Sequence, residues 1–231
     1  MHSATDQRSR NLLIAYAAPM VVFIGCFGLI SLIKLTHGQS LWLRSPEFWV
    51  YPLQTVACAV LLIIFWRRYE FHPVRQLWLV LLVGSVSLAI WIAPQAFFGA
   101  APRTDGFNPD LIASNPAAYW ATVLLRFFRL VVVVPLIEEI FWRGFLLRYL
   151  IDEKFERVPF GTFSWLSFAV VTLAFTFSHS SADWIVAAVV GSLFNLVAYR
   201  TKSLTSCVLV HAITNLLLGL WIMQTKQWGF W

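Results

Sequence analysis

The sequence predicts an all-α membrane protein, a polytopic helical bundle of about seven transmembrane helices. Two observations predict this class. The 231 residues are 59% hydrophobic and only 12% charged, whereas a soluble domain carries about 25% charged residues. The apolar residues also come in long blocks, and a helix that crosses a bilayer needs roughly 20 of them in succession. Too few polar residues remain to cover a surface that faces water.

Seven apolar runs predict the spans, at residues 12–33, 49–66, 77–98, 120–150, 161–179, 183–200 and 204–223. The fourth run is too long for a single crossing, and Arg126 and Arg129 lie near its start. We therefore expect residues 117–129 to begin as an interfacial helix and the crossing to start near Leu130. Residues 1–119 then hold about three N-terminal spans and an outer loop, and residues 120–231 hold the last four spans.

The first apolar run, Leu12 to Ile33, is too long for the core of a signal peptide, and no small-residue cleavage site follows it. We expect a retained first span. The three cysteines, Cys26, Cys58 and Cys207, all lie in apolar runs. They are expected to be packing residues and not disulfides or a cysteine metal site.

The net charge of +6 comes from basic residues scattered over short loops, which excludes a nucleic-acid partner because no single basic patch forms. These charges indicate orientation instead. With a cytoplasmic N-terminus, the inner segments hold ten Lys and Arg residues and the outer segments hold four, as the positive-inside rule requires. The inner set is Arg8, Arg10, Arg67, Arg68, Arg75, Arg148, Lys154, Arg157, Arg200 and Lys202, and the outer set is Lys34, Arg44, Arg103 and Lys226.

Charged residues inside the fourth run are the first sign of function. An ionisable side chain at mid-membrane costs about 2.5–3.5 kcal/mol, so such residues tend to mark a site or a pathway. Arg143 follows Glu139 by four residues, on the same helical face, where a carboxylate–guanidinium pair can form. Glu138 points about 100° away. We expect Arg143 to hold Glu139 ionised and Glu138 to be free to accept a proton. The alternative is a structural ion-pair network that clamps two helices.

Two later spans carry further polar residues. His179 follows Phe175 by one turn, and His211 and Asn215 share one face of the last span. Histidine suits proton transfer near neutral pH, and the asparagine amide can hold an oxyanion. A single histidine in an apolar helix is more often a packing residue, but two histidines and two glutamates on three spans favour a site. For Asn195 we expect hydrogen bonding between helices.

In this order, the three motifs resemble those of the CAAX prenyl endopeptidase and bacteriocin-processing family of intramembrane proteases. They read Glu138-Glu139-Ile-Phe-Trp-Arg143, Phe175-Thr-Phe-Ser-His179 and His211-Ala-Ile-Thr-Asn215. The resemblance covers roughly residues 120–222. The pattern is also similar to the CAAX-protease-related proteins that accompany bacterial exosortase sorting systems.

The resemblance implies proteolysis within the membrane, with the catalytic core in the four C-terminal spans of residues 120–231. Glu138 would activate a water molecule, and His179 would share the proton transfers. His211 and Asn215 would stabilise the tetrahedral oxyanion. A peptide carbonyl is a poor electrophile, so its hydrolysis needs both a base for the water and donors for the developing charge.

The Glu139–Arg143 pair would hold these groups in place. Two histidines and a glutamate could also bind Zn²⁺, and the ligands would then be Glu138, His179 and His211. The chain has no HExxH helix, and these ligands come from three spans. We therefore expect no obligatory cofactor.

The expected partners are membrane lipids and a membrane-associated or lipidated protein or peptide substrate, and the expected location is the bacterial inner membrane. Two other functions stay open: a proton-coupled transporter with Glu138, Glu139 and His211 as its relay, and a non-catalytic scaffold of the same fold. Inverted repeats or broken helices would favour the transporter, and the sequence shows neither. With a cytoplasmic N-terminus, His179 falls at the outer end of its span while Glu138 lies inside its own. The two can meet in the outer half of the bilayer only if the fourth span starts near residue 130.

Overall fold

A computed structural model describes residues 2–103 and 106–231. The side chains of residues 2–6 and of Arg8 lie outside the described part, so the model does not bear on the place of Arg8 in the charge count. Within these ranges all regular structure is helical, which confirms the predicted fold class. The helices are α1 (His2–Lys34), α2 (Leu41–Arg44), α3 (Glu47–Phe65), α4 (Leu77–Phe97), α5 (Pro116–Tyr149), α6 (Trp165–Phe177), α7 (Trp184–Thr201) and α8 (Leu204–Thr225).

Six of these helices, α1, α3, α4, α5, α7 and α8, are long and apolar enough to cross a bilayer. Their outer surfaces expose large apolar side chains, such as Ile63, Phe97 and Ile185, which is what a lipid environment requires of a spanning helix. The protein is therefore integral to a membrane.

The predicted fifth span is the one that differs, because α6 has only 13 residues. It is about 20 Å long at 1.5 Å per residue, shorter than the roughly 30 Å hydrocarbon core of a bilayer. The start of the predicted run is a turn in which Gly161 has φ +78°, and a Cβ there would lie 2.6 Å from the carbonyl oxygen of Ala198. The backbone comes too close to α7 at this turn for a helix to begin before Trp165.

Helix α5 is continuous over 34 residues. Asn115 caps its start by accepting a hydrogen bond from the Ala118 amide at 3.1 Å, and Pro116 occupies the first turn. Two π-helical segments interrupt the α-helical pattern, at Arg129–Val133 and Ile140–Leu146. They flank the short α-helical segment Val134–Glu139, which carries both acids. Segments of this kind often occur at functional sites.

The helices pack around one main core that draws on both halves of the chain. It combines Tyr16 of α1 and Cys58 of α3 with Ile137 of α5 and Val210 of α8. The division into residues 1–119 and 120–231 stays a prediction. All three cysteines are free, as expected.

Close helix contacts set the positions of the site residues on α7 and α8. Lys202, at φ +49°, ends α7, and the Ser203 hydroxyl accepts from the Ser206 amide at 3.2 Å to start α8. This tight turn places α7 and α8 side by side. A smaller apolar cluster at the other end joins the loop before α5 to the C-terminal residues, where the amide of Phe107 donates to the carbonyl oxygen of Trp231 at 3.0 Å.

Candidate active site

Glu139 is fully buried and accepts two hydrogen bonds, one from a guanidinium group and one from an imidazole. Its Oε1 accepts from Nη1 of Arg143 at 3.0 Å and from Nδ1 of His211 at 2.8 Å. The predicted pair with Arg143 is thus present on one face of α5. It extends to α8 through His211, so the carboxylate links two of the three motif helices.

Arg143 is buried as well, and each of its three nitrogens has a partner. Besides the bond to Glu139, Nε donates to Oδ1 of Asn195 at 3.0 Å and Nη2 donates to the carbonyl oxygen of Gly191 at 3.1 Å. Nδ2 of Asn195 in turn donates to the Thr172 hydroxyl at 3.1 Å. Asn195 therefore forms the hydrogen bonds between helices that its sequence position predicts, and the network ties α5, α6 and α7 together.

Glu138 is in a different position, although it is the neighbouring residue. It is 8% exposed and has no hydrogen-bond partner among the described residues, and its Oε2 is buried. It lines a partly open cavity of about 650 Å³, of the size of a ligand site. Neither Glu139 nor Arg143 is part of the wall of that cavity.

His179 lies just beyond the end of α6 and lines the same cavity. Its Nδ1 donates to the carbonyl oxygen of Phe175 at 2.8 Å. In the neutral ring this leaves Nε2 with a free lone pair. The imidazole packs between the rings of Phe175 and Trp91, with centroids at 4.6 Å and 5.3 Å.

His211 and Asn215 line the cavity from α8. With Nδ1 of His211 donating to Glu139, only its Nε2 is left for a ligand. Nδ2 of Asn215 donates to the carbonyl oxygen of Leu130 at 2.7 Å, and the second N–H of that amide stays available. Leu130 lies in the first π-helical segment of α5. The six predicted site residues thus lie together. Four of them line the cavity, and the other two, Glu139 and Arg143, lie behind its wall.

A metal ion does not fit this arrangement of side chains. Within the described ranges, no three His, Cys, Asp or Glu side chains are grouped closely enough to hold one. His211 is hydrogen-bonded to Glu139, which is not one of the three predicted ligands. The trio of Glu138, His179 and His211 surrounds the cavity without forming a coordination sphere.

The sequence does not predict Arg126 and Arg129 as members of the cavity wall, because residues 117–129 are expected to form an interfacial helix. Both are buried, and both line the cavity that Glu138 lines. Nε and Nη2 of Arg129 donate to Oε1 of Gln54 on α3, at 2.9 and 2.7 Å. Two arginines in an apolar run carried the same intramembrane signal as the acids.

Fold and site together define a polytopic helical membrane protein with an acid, two imidazoles and a carboxamide around one cavity. Residues 119–217 match the model of the family described as type II CAAX prenyl endopeptidase Rce1-like. The match confirms the resemblance over this part of the chain. No curated protein and no solved structure matches the chain. A CAAX-type membrane protease has lipids and a protein substrate as its partners.

Proposed function

We propose that the protein is an intramembrane endopeptidase in which Glu138 activates the water that cleaves a membrane-associated or lipidated substrate. One observation carries the proposal: Glu138, His179, His211 and Asn215 line a single cavity, and the Glu138 carboxylate has no partner among the described residues. A carboxylate that no protein group occupies is free to bind water and to accept its proton.

Proton transfer would begin at Glu138. The carboxylate takes a proton as the water oxygen forms its bond to the carbonyl carbon, which gives a tetrahedral intermediate. When the C–N bond breaks, the leaving amine takes up a proton, either from Glu138 or from Nε2 of His179 after a relay between the two. The Phe175 carbonyl supports this role because it holds the proton on Nδ1 and so leaves Nε2 to act.

The negative charge on the intermediate would be stabilised from α8. Glu139 accepts from Nδ1 of His211 and so fixes the ring with Nε2 toward the cavity, from which a protonated imidazole can donate to the oxyanion. The free N–H of Asn215 supplies a second, neutral donor. Arg143 balances the charge of Glu139, so that this acid orients His211 and leaves proton transfer to Glu138.

The test is to identify protein termini in the membranes of cells that express either the native protein or Glu138→Gln. We expect a set of new termini with the native protein that disappears with Glu138→Gln, while the amount of folded protein stays the same. Glu153→Gln makes the same chemical change at an exposed loop residue and should leave the termini unchanged. Identical termini with and without Glu138 would refute the proposal and leave the transporter and scaffold alternatives.

We also propose that the N-terminus faces the cytoplasm of a bacterial inner membrane. The ten inner and four outer basic residues support this orientation. In a cysteine-free background, a membrane-impermeant thiol reagent should label Leu111→Cys in intact cells and should label Glu153→Cys only after lysis. The reverse pattern would invert the topology.

A further inference from the structure

Arg126 and Arg129 form a pair of guanidinium groups on α5 that the proposed chemistry does not use. Their side chains are 6% and 4% exposed, and both line the cavity that holds Glu138. Buried arginines in a membrane protein normally have a charged partner, because an unpaired buried charge is costly. What these two arginines pair with is therefore a question about what the cavity binds.

Two of the three guanidinium nitrogens of Arg126, Nε and Nη1, are buried and have no hydrogen-bond partner in the described part of the chain. Its guanidinium lies over the aromatic rings of Tyr51 and Phe107, at 4.6 and 5.2 Å from their centroids. Arg129 is fixed beside it by the neutral carboxamide of Gln54. The rings and the carboxamide hold the two guanidinium groups in place but add no negative charge.

Neither arginine has an acid within ion-pair distance in residues 2–103 and 106–231. The acids on the surrounding elements are engaged or remote. Glu47, at the start of α3, pairs with Lys34, and Asp183 pairs with Arg103. Glu138 lies nine residues beyond Arg129, about 14 Å along a helix axis. This end of the cavity thus carries two positive charges, and neither forms a direct ion pair with a described acid.

We infer that Arg126 and Arg129 bind a carboxylate of the peptide that occupies the cavity. The planar guanidinium fork matches a carboxylate through paired hydrogen bonds, and the unpartnered Nε and Nη1 of Arg126 are placed to form them. As a positioning device for cleavage, the site rests on the proposed function. As a binding site, it stands on the unpaired guanidinium alone.

The separation from Glu138 sets the length of chain between carboxylate and scissile bond. Arg129 and Arg126 precede Glu138 by nine and twelve residues, or about 14–18 Å along a helix. An extended peptide spans about 3.3 Å per residue, so roughly four or five residues fit between the two places. The pair would thus select substrates with a carboxylate at that distance, either a C-terminal carboxylate or an acidic side chain.

The binding test uses purified Glu138→Gln protein, which cannot perform the proposed cleavage. Its probes are an N-acetylated apolar pentapeptide with a free C-terminal carboxylate, the same peptide as the C-terminal amide, and an amide that ends in glutamate. Calorimetry in detergent gives the affinities. We expect the free acid to bind at least about tenfold more tightly than the plain amide, the size of a charged hydrogen bond. The glutamate peptide tells whether an acidic side chain serves as well as the C-terminal group.

Arg126→Gln in the same background should abolish the preference for the acid, whereas Arg126→Lys should keep part of it because the charge remains. Arg44→Gln removes an equal charge at an exposed outer residue and should change nothing. The substitution at Arg126 breaks no hydrogen bond seen in the structure, so the variant is expected to fold. The comparison of the free-acid peptide with the amide peptide needs no substitution at Arg126, so it tests the inference even if that variant does not fold.

Equal affinity for acid and amide would overturn the inference, and so would a preference that survives Arg126→Gln. It would also be overturned if the preference is seen in phosphatidylcholine nanodiscs and is lost in phosphatidylglycerol nanodiscs, since the headgroup of an anionic lipid would then occupy the pair. Because the binding is measured without Glu138, cleavage and carboxylate binding can fail separately. A carboxylate preference without any cleavage by the native protein would refute the proposed function alone.

Discussion

Glu138 and Glu139 are adjacent in the chain, yet they lie in opposite environments. Glu139 is fully buried and accepts from an arginine and a histidine, whereas Glu138 faces a cavity and has no partner among the described residues. A rotation of about 100° along one helix separates them. A carboxylate inside a membrane is energetically costly, and the two acids meet this cost in different ways. Glu139 is neutralised within the protein, whereas Glu138 is left for a ligand.

The two environments should respond differently to substitution. Changes around Glu139 should lower the stability of the fold, and changes around Glu138 should spare it. We expect the loss of stability to decrease in the order Arg143→Ala, Glu139→Gln, Gly191→Ala and His179→Gln.

Arg143→Ala should have the largest effect, because it leaves the Glu139 carboxylate without its cation and removes the donors for Asn195 and Gly191. Breaking a buried ion pair from one side costs about 3–5 kcal/mol. The yield of monodisperse protein in detergent measures this effect, with Arg67→Ala at an exposed site as the control. A normal yield would mean that the network does not hold the helices together.

Glu139→Gln should cost about 2–3 kcal/mol, because two charge-assisted hydrogen bonds weaken and Arg143 keeps an unbalanced charge. Glu138→Gln should change stability by less than about 0.5 kcal/mol, or raise it, because the native carboxylate forms no bond that is lost. Thermal unfolding of the two variants side by side makes the comparison. Equal losses would show that both acids are structural.

Gly191→Ala should cost about 1–3 kcal/mol through overpacking. A Cβ at this position would lie 2.8 Å from the ring of Phe175, the residue that holds His179. We expect a lower unfolding temperature together with reduced cleavage. Gly28→Ala is the matched control, because nothing lies within 4 Å of a Cβ there. A stable variant with full activity would show that Phe175 can move freely.

His179→Gln should have a small effect on stability, below about 1 kcal/mol, because it loses one hydrogen bond within its own helix end. The proposed role nevertheless predicts a 10²–10⁴-fold loss of cleavage, the usual contribution of a general acid or base. Time courses for the termini that depend on Glu138 provide the measurement. Full activity would remove His179 from the mechanism and leave Glu138 as the sole proton carrier.

Much of this arrangement could be predicted from the sequence, because charged groups stand out in apolar runs and helical spacing is regular. The spacing of four residues was enough to predict the Glu139–Arg143 pair. The bond from Glu139 to His211 was not predicted, because it joins residues 72 apart in the chain. A contact of this kind depends on how the helices pack, and a single sequence does not contain that information.

The length of α6 shows a second limit of sequence reasoning. Hydropathy over residues 161–179 is high whether the helix begins at the first residue or at Trp165. What decides the start is the close approach of Gly161 to Ala198, which is a tertiary contact. For the same reason the burial of Arg126 and Arg129 could not be judged from their place in the run alone.

The bond from Arg129 to Gln54 joins α5 to α3 across 75 residues of chain. A fragment cut to the matched region, residues 119–217, would lack that carboxamide and the α1, α3 and α4 side of the shared interior. In such a fragment the guanidinium of Arg129 would lose its hydrogen bonds to Gln54, and the apolar residues that pack against the N-terminal helices would be exposed. The region that carries the sequence motifs is therefore not expected to fold as a separate unit, and a minimal version of this protein has to keep its N-terminal helices.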